Sequence, residues 1–342
     1  MNLGVDLGSS RVVICDPDRG IVLDEPSVIA VSKRDGHVVA CGQEAESMLG
    51  RTPPSIVAMR PVCNGVITSY EMAEKMLRYF LHKVCSNRIT KPYVAVSIAE
   101  DITEVERRSF IEAVYSAGAR RVTLVPQTVA SAIGAGMDVT KPRGQLVINI
   151  GAGTTDVAVI SLRGTAVSSS VRCGGMTMDE DIVRFVRSRY NLIISELSAE
   201  QAKKQAGCVF PREEVATVVV KGRDAVTGLP RSQVVTSDEL CEATTDTVRE
   251  MGDLVQRVLE ITPPELAADI MEDGMWLTGG GARIAGITEY FARLTGVAIH
   301  VADDPEHCVA IGAGQALKYA SCFSEVYDLG DYTYRLSDTV VE

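Results

Sequence analysis

The sequence predicts an α/β protein made of two related halves, each a sheet covered by helices, and three observations carry that expectation. Short strand-like runs alternate with segments of helical periodicity along the chain. An apolar strand, a glycine turn and a second strand occur together twice, at 3–14 and again at 146–162. With 342 residues, the chain has room for about two domains of ~150 residues each.

The elements follow in order. Leu3-Gly-Val-Asp-Leu7 and Arg11-Val-Val-Ile14, joined by Gly8-Ser9-Ser10, read as a hairpin. Strand-like runs at 21–23, 27–31 and 37–40 precede a helix over 70–84, whose Met72, Met76, Leu77, Phe80, Leu81 and Val84 share one stripe. A buried strand is expected at 94–98. Thr103-Glu-Val-Glu106 is a capping-box start for a helix reaching Ala117, followed by a strand at 122–125 and a small-residue helix at 127–136. After the polar Lys141-Pro-Arg-Gly144 the pattern restarts with strand 146–150, turn Gly151-Ala-Gly153 and strands at 155–162 and 166–171. The two copies share an apolar strand, then Asp6 or Asn149, an apolar residue, and Gly8 or Gly151, which places a boundary near residue 141. Helices at 178–190 and 198–206 come next, the latter with Ser198-x-x-Gln201 as its capping box. A hairpin within 215–236 and a long helix at 237–259 follow. A strand at 275–277 then meets Thr278-Gly279-Gly280-Gly281, a helix runs on to Leu294, and the last helix spans 308–320.

Composition narrows the function. Hydrophobic residues make up 46% and charged residues 23%, the balance of a folded globular chain. A net charge of −11 repels a nucleic-acid backbone, so no nucleic-acid partner is expected. No apolar run approaches the ~20 residues of a membrane span, and Met1 leads directly into a strand without a signal-peptide pattern, so the expected compartment is the cytoplasm. The nine cysteines stand singly without a C-x-x-C pair, which suits reduced thiols packed as small hydrophobes. The four histidines show no metal-ligand spacing.

Three glycine-rich turns, each directly after an apolar strand, are the strongest chemical feature. Glycine leaves successive backbone amides unshielded, so they can converge on phosphate oxygens, and two such turns could clamp a polyphosphate. Taken singly, each is equally a tight hairpin. The sequence has neither G-x-x-x-x-G-K-[ST] nor a completed G-x-G-x-x-G, which excludes P-loop and Rossmann sites.

These residues resemble the superfamily of actin, the chaperone Hsp70 and the sugar kinases, which share a duplicated ribonuclease-H-like fold. Asp6-Leu-Gly-Ser-Ser10 looks like its first phosphate motif, Asn149-Ile-Gly-Ala-Gly-Thr-Thr-Asp156 its second, and Leu277-Thr-Gly-Gly-Gly-Ala282 its adenosine motif. Within it the chain is most similar to the MreB bacterial actins, also through Gly20-Ile-Val-Leu-Asp-Glu-Pro-Ser-Val28, Ala132-Ile-Gly-Ala-Gly136 and Pro263-Pro-Glu-Leu-Ala267. The likeness runs to about residue 320. It implies an actin-like α/β fold with two halves, 1–140 and 141–307, around a nucleotide cleft, the 308–320 helix packing back on the first half, and a tail at 323–342.

The resemblance implies ATP and Mg2+ as cofactors. Asp6 would orient the nucleotide-bound Mg2+ through water, the alternative being a turn-capping Asp. Ser9, Ser10 and Arg11 would face the β- and γ-phosphates from one side, and Ala152, Gly153 and Thr154 from the other. The segment Glu200, Gln201, Ala202, Lys203 resembles the family's ribose and adenine contact; alone, Glu200 and Lys203 are an i, i+3 surface pair. Gly280, Gly281, Ala282 and Arg283 would lie against adenine and the α-phosphate at a helix N-terminus. Arg11 stands where relatives carry Asn, and points either toward phosphate or into solvent. Asn149 replaces a metal-side Asp, and Gln127 replaces a Glu that activates water; Gln orients a water without deprotonating it. The alternative for Gln127 is a plain helix-start residue. Asp156 would help order the same water.

The implied function is an ATP-binding bacterial actin that polymerises into homopolymer filaments controlling cell shape, with slow ATP hydrolysis and cell-shape membrane proteins as partners. A non-polymerising regulatory paralogue and a small-molecule kinase of the same superfamily are the alternatives. The segment 87–93, with Ile89 and Tyr93 among Arg88 and Lys91, is either a weak inner-membrane contact or a solvated loop. The tail, with Tyr327, Tyr332 and Tyr334 among acids, is either a docking segment or a disordered end.

Overall fold

The computed structural model describes residues 1–85, 91–317 and 326–328. The chain divides into two compact units, Met1–Lys141 with Glu306–Glu342, and Pro142–Pro305.

The first unit opens with an antiparallel meander of β1 (Asn2–Leu7), β2 (Arg11–Asp16) and β3 (Gly20–Pro26). A small sheet of β4 (Ile29–Ser32), β5 (Val38–Cys41) and β6 (Ile56–Met59) follows, with α1 (Gln43–Ser47) after its second strand. The two-residue strands β7 (Val62–Cys63) and β8 (Val66–Ile67) lead to α2 (Tyr70–Cys85), which buries Ala73, Met76, Leu77, Phe80 and Leu81 on the stripe its spacing predicts. β9 (Tyr93–Ile98) then adds parallel to β1, and α3 (Glu104–Ser116) leads to β10 (Arg121–Pro126), parallel to β9, and α4 (Gln127–Gly134). The capping box of α3 is present: Thr103 Oγ1 accepts from the Glu106 amide, and the Glu106 carboxylate accepts from the Thr103 amide at 2.8 Å.

The second unit repeats this plan. β11 (Gln145–Ile150), β12 (Thr155–Ser161) and β13 (Gly164–Val171) form the meander, followed by α5 (Gly175–Tyr190). β14 (Leu192–Ile193), α6 (Glu196–Ala206), β15 (Thr217–Asp224) and β16 (Pro230–Thr236) make a side layer in which the strands form a three-stranded sheet. After α7 (Ser237–Glu260) and α8 (Pro264–Asp273), β17 (Met275–Thr278) joins parallel to β11; α9 (Ile287–Thr295) and β18 (Ile299–Val301), parallel to β17, complete the sheet. The order β13-β12-β11-β17-β18 therefore matches β3-β2-β1-β9-β10 strand for strand, with the same directions. Even the irregularity recurs, between Ile14 and Cys15 in one meander and between Val159 and Ile160 in the other. The central strands are apolar on both faces because helices cover both, and Leu3, Val12, Ile14, Leu146 and Ile148 are fully buried.

Two boundaries differ from the sequence expectation. α6 starts at Glu196 and is capped by Ser195, whose hydroxyl accepts from the Ser198 amide; Ser198 is the capped residue instead of the cap. The helix expected after the third glycine turn is broken into a 3-10 turn at Gly280–Arg283 and α9, because Gly279 (φ 81°) and Gly286 (φ 84°) both leave the α region.

The chain returns to the first unit with α10 (Cys308–Ala316), which packs on α4 and across β1. The approach is backbone to backbone: a Cβ on Gly312 would lie 1.7 Å from the Ala130 carbonyl oxygen, and one on Gly4 2.1 Å from the Gly314 nitrogen. Of the tail, β19 (Val326–Asp328) pairs antiparallel with β10 and becomes the sixth strand of the sheet. Gly312→Ala must push α10 off α4 at a site with no room to yield. It is expected to cost about 3 kcal/mol, read as a lowered urea midpoint, while Gly280→Ala, whose Cβ meets nothing within 4 Å, leaves the midpoint unchanged.

Candidate functional site

The first two glycine turns have one geometry. In the first unit the Gly8 amide donates to the Arg11 carbonyl at 3.0 Å, and in the second the Gly151 amide donates to the Thr154 carbonyl at 2.9 Å. Each turn sits where a central strand ends. Among the described residues, no protein group accepts from the amides of Ser9, Ser10, Ala152, Gly153 or Thr154, which is the composition of an anion cradle.

Polar side chains under each turn hold it. In the first unit Ser97, from β9, donates to Asp6 Oδ1 at 2.8 Å, which orients the half-buried carboxylate; the Ser9 hydroxyl accepts from the Gly65 amide at 3.4 Å. In the second, Asp156 is fully buried and accepts from Thr154 Oγ1 at 2.8 Å and from Ser170 Oγ at 2.7 Å. Asp156 therefore acts on the turn through Thr154, one of the two hydroxyls it accepts from. Buried Asn149 accepts from Thr278 Oγ1 at 3.2 Å, which ties the second turn to the strand that leads into the third.

The third turn rests on the second. Gly279 and Gly281 lie so close to Ile150, the residue preceding Gly151, that a Cβ on either would come within 2.3 and 2.2 Å of it. Gly281 and Ala282 are buried in this contact, whereas Gly280 and Arg283 are exposed. The α-helical N-terminus expected at Gly280–Arg283 is a four-residue 3-10 turn, so any anion contact there is made by local amides without a helix dipole behind them.

On α6 the four expected contacts diverge. Ala202 is wholly buried in the core of the side layer, and its assignment as a ligand contact is corrected. Gln201 is exposed, and Glu200 pairs with Lys204 at 2.7 Å. Lys203 turns inward: its Nζ lies 2.7 Å from Asp179 Oδ1 and donates to the Gly175 carbonyl at 2.5 Å. The carboxylate contact is an ion pair without hydrogen-bond alignment at Oδ1. Burial pushes the Asp179 carboxyl up to about 6, more than Lys203 draws it down.

In the first unit the Arg11 guanidinium is engaged with Asp24. Its Nε pairs with Asp24 Oδ1 at 2.5 Å, and its Nη2 donates to the Asp24 carbonyl at 3.1 Å. Gln127 is the first residue of α4, after Pro126. Beside it Thr128 donates to Glu100, a carboxylate that follows β9. Ser97, Asp179 and Ser170 contact candidate residues, and Glu100 the neighbour of one, without being singled out by the sequence; Thr278 is read there only as part of the motif at 277–282. Only Ser97 and Thr278 carry a readable signal, as lone polar residues at the ends of apolar strands. Ile89 lies outside the described residues. Among the described residues no cluster of three or more His, Cys, Asp or Glu forms a metal site, and no helix is long and apolar enough to cross a membrane.

Two sheets of one topology, each ending its central strand in the same hydrogen-bonded glycine turn, define a duplicated actin-like α/β protein. Residues 1–325 match the family model described as MreB/Mbl protein, and the chain belongs to that family. The cell shape-determining protein Mbl of Bacillus cereus is 41% identical over 318 residues, covering 93% of this chain and 96% of that one. The cell shape-determining protein MreB of Escherichia coli is 44% identical over 323 residues, 93% of each. Among solved structures, MreB5 of Spiroplasma citri bound to ADP superposes with a TM-score of 0.87 at 33% identity, covering 93% of this chain and 96% of that one. A MamK double helical filament, 20% identical with a TM-score of 0.78 over 92% of this chain and 98% of that one, shares the fold.

The Asp179 environment makes a direct prediction. Its carboxyl, raised by burial, should titrate near pH 6 by carbon NMR, and Lys203→Met should raise that midpoint further by removing the cation that opposes burial. The sign for stability follows: folding favours the protonated form, so the contribution is full below the unfolded value of 3.8 and is lost as pH rises through about 6.

Proposed function

We propose that this chain is an ATP-binding bacterial actin that polymerises into filaments controlling cell shape. The observation that carries the reading is the pair of identically closed glycine turns with unengaged amides, one per unit, in a chain of the MreB/Mbl family. The nucleotide complexes of MreB5, with ADP and with AMPPNP, support the ligand class, and the cell shape-determining names of the curated relatives support the role.

In this reading Ser9 and Ser10 offer their amides to the β- and γ-phosphates, as do Ala152, Gly153 and Thr154. Glu200 takes the ribose hydroxyls, and Gly280 to Arg283 take adenine and the α-phosphate. Asp6, a single carboxylate oriented by Ser97, fits a Mg2+ ion that takes most of its ligands from phosphate and water. That ion would neutralise charge on the phosphates. Gln127 orients the attacking water and has no basic group to accept its proton; with Asn149 in place of a second carboxylate, hydrolysis is slow. Slow ATPase activity would be coupled to polymerisation. Self-association is the main partnership, with cell-shape membrane proteins and the inner-membrane surface, contacted near Ile89, as further partners of a cytoplasmic polymer.

Sedimentation tests the reading. Wild-type protein should pellet as filaments in Mg·ATP, and Asp6→Ala should stay in the supernatant; protein that binds ATP but never pellets, with or without lipid vesicles, would remove the cytoskeletal role. Phosphate release from the pelleted wild type should rise when Gln127 is replaced by Glu, which adds a carboxylate beside the water.

A further inference from the structure

Lys203 lies on the segment that resembles the family's base contact, yet its ammonium is committed elsewhere. It is nearly buried, it pairs with Asp179 one turn into α5, and it donates to the carbonyl of Gly175 at the first residue of that helix. The residues it grips lean on the second glycine turn. The Gly175 amide donates to the Gly151 carbonyl at 3.0 Å, and the Met176 amide donates to the Ala152 carbonyl at 2.7 Å. No side chain fits between the segments: a Cβ on Gly174 would lie 2.7 Å from both the Gly151 and Ala152 carbonyl oxygens. Contacts thus run from α6 through Lys203 to the start of α5, and from there by two backbone hydrogen bonds into the turn whose amides face the proposed phosphates.

We infer that Lys203 serves the phosphate end of the nucleotide site instead of the base: paired with Asp179, it is a positioning residue that holds Gly174–Met176 against the Gly151–Ala152 turn. The inference rests on the nucleotide-binding reading above and deepens it. The hydrogen bond and the ion pair of this ammonium are both internal, and moving it to a base would strand Asp179. The charges around Asp179 agree with a structural tie. Glu200 and Lys204, on the same helix as Lys203, pair with each other and so leave Lys203 as its close cation. The far end of α6 is fixed too, because Cys208 bridges Ala285 and the Val209 amide donates to the Ala285 carbonyl at 2.9 Å, just past the third turn. α6 is therefore a strut fastened at both ends to the segments that form the site.

The test separates phosphate from base. The double variant Lys203→Met/Asp179→Asn removes both charges and strands neither, and Asp179→Asn alone is the milder change. Binding of ATP, ADP, adenosine and GTP is measured for each by calorimetry, with amide exchange of Met176 followed in the unliganded protein. The expected result is a loss of about tenfold for ATP and ADP in the double variant, little change for adenosine, an unaltered preference for ATP over GTP, and faster Met176 exchange. A collapse of the ATP-over-GTP preference with adenosine binding lost in proportion, and Met176 exchange unchanged, would overturn the inference and return Lys203 to the base. Wild-type protein that binds none of these ligands would instead strike down the nucleotide reading on which the inference stands, while faster Met176 exchange in the variants would still report the mechanical tie.

Discussion

One backbone hydrogen bond, made twice, governs the chemistry of this molecule: glycine amide to the carbonyl three residues on, Gly8 to Arg11 and Gly151 to Thr154. Closing the turn this way keeps the two following strands in register, Leu7 opposite Val12 and Ile150 opposite Thr155, while it turns the intervening amides outward. Glycine is needed because a Cβ on Gly8 would sit 2.8 Å from the Arg11 carbonyl oxygen to which the Gly8 amide donates. Amides without a protein partner stand together at each of the two strand ends, and in the proposed site phosphate oxygens take them. The surrounding sheet keeps those turns from relaxing into ordinary hairpins with all their amides satisfied.

The support beneath the turns differs between the units in a way that sets their roles. Under the first, Asp6 accepts from Ser97 and remains half-buried. Under the second, Asp156 is sealed by two hydroxyl donors, and the equivalent of Asp6 is the neutral Asn149, bonded to Thr278. In the proposed nucleotide complex a Mg2+ ion would therefore draw its carboxylate from Asp6 in the first unit, since Asn149 is neutral. The second contributes shape: its polar groups lock a turn, and the third turn is built against the same strand end through Ile150.

The sequence disclosed what local chemistry specifies. The meanders, the stripe of α2 and the capping box of α3 were legible because period, glycine and the Thr103–Glu106 spacing each act within a few residues. The cap of α6 was misplaced because Ser195 and Ser198 both offer a hydroxyl, and only the extended backbone of Ser195 makes it the cap. Lys203 was legible as a site residue but not for its contacts, since Asp179 lies on another helix and an i, i+3 spacing from Glu200 suggests solvent. β19 escaped notice because three residues in a polar tail carry no periodicity; the unpaired edge of β10 supplies the reason for it to be a strand.

Arg11 shows how the first unit restrains a charge near its turn. Its guanidinium is fastened to Asp24, which also receives His307 at 3.3 Å, just ahead of α10. Burial pushes the Asp24 carboxyl up, but Arg11 and His307 outweigh it and hold the group below the usual carboxylate range. Arg11 therefore reaches an anion at the turn only by leaving a carboxylate that stays ionised at every pH near neutrality. A monovalent anion gains nothing from that exchange, because one unit of negative charge replaces another at the expense of a formed ion pair. In the proposed site a polyphosphate, which brings several charges to one place, is the kind of anion that would compete with Asp24 for Arg11.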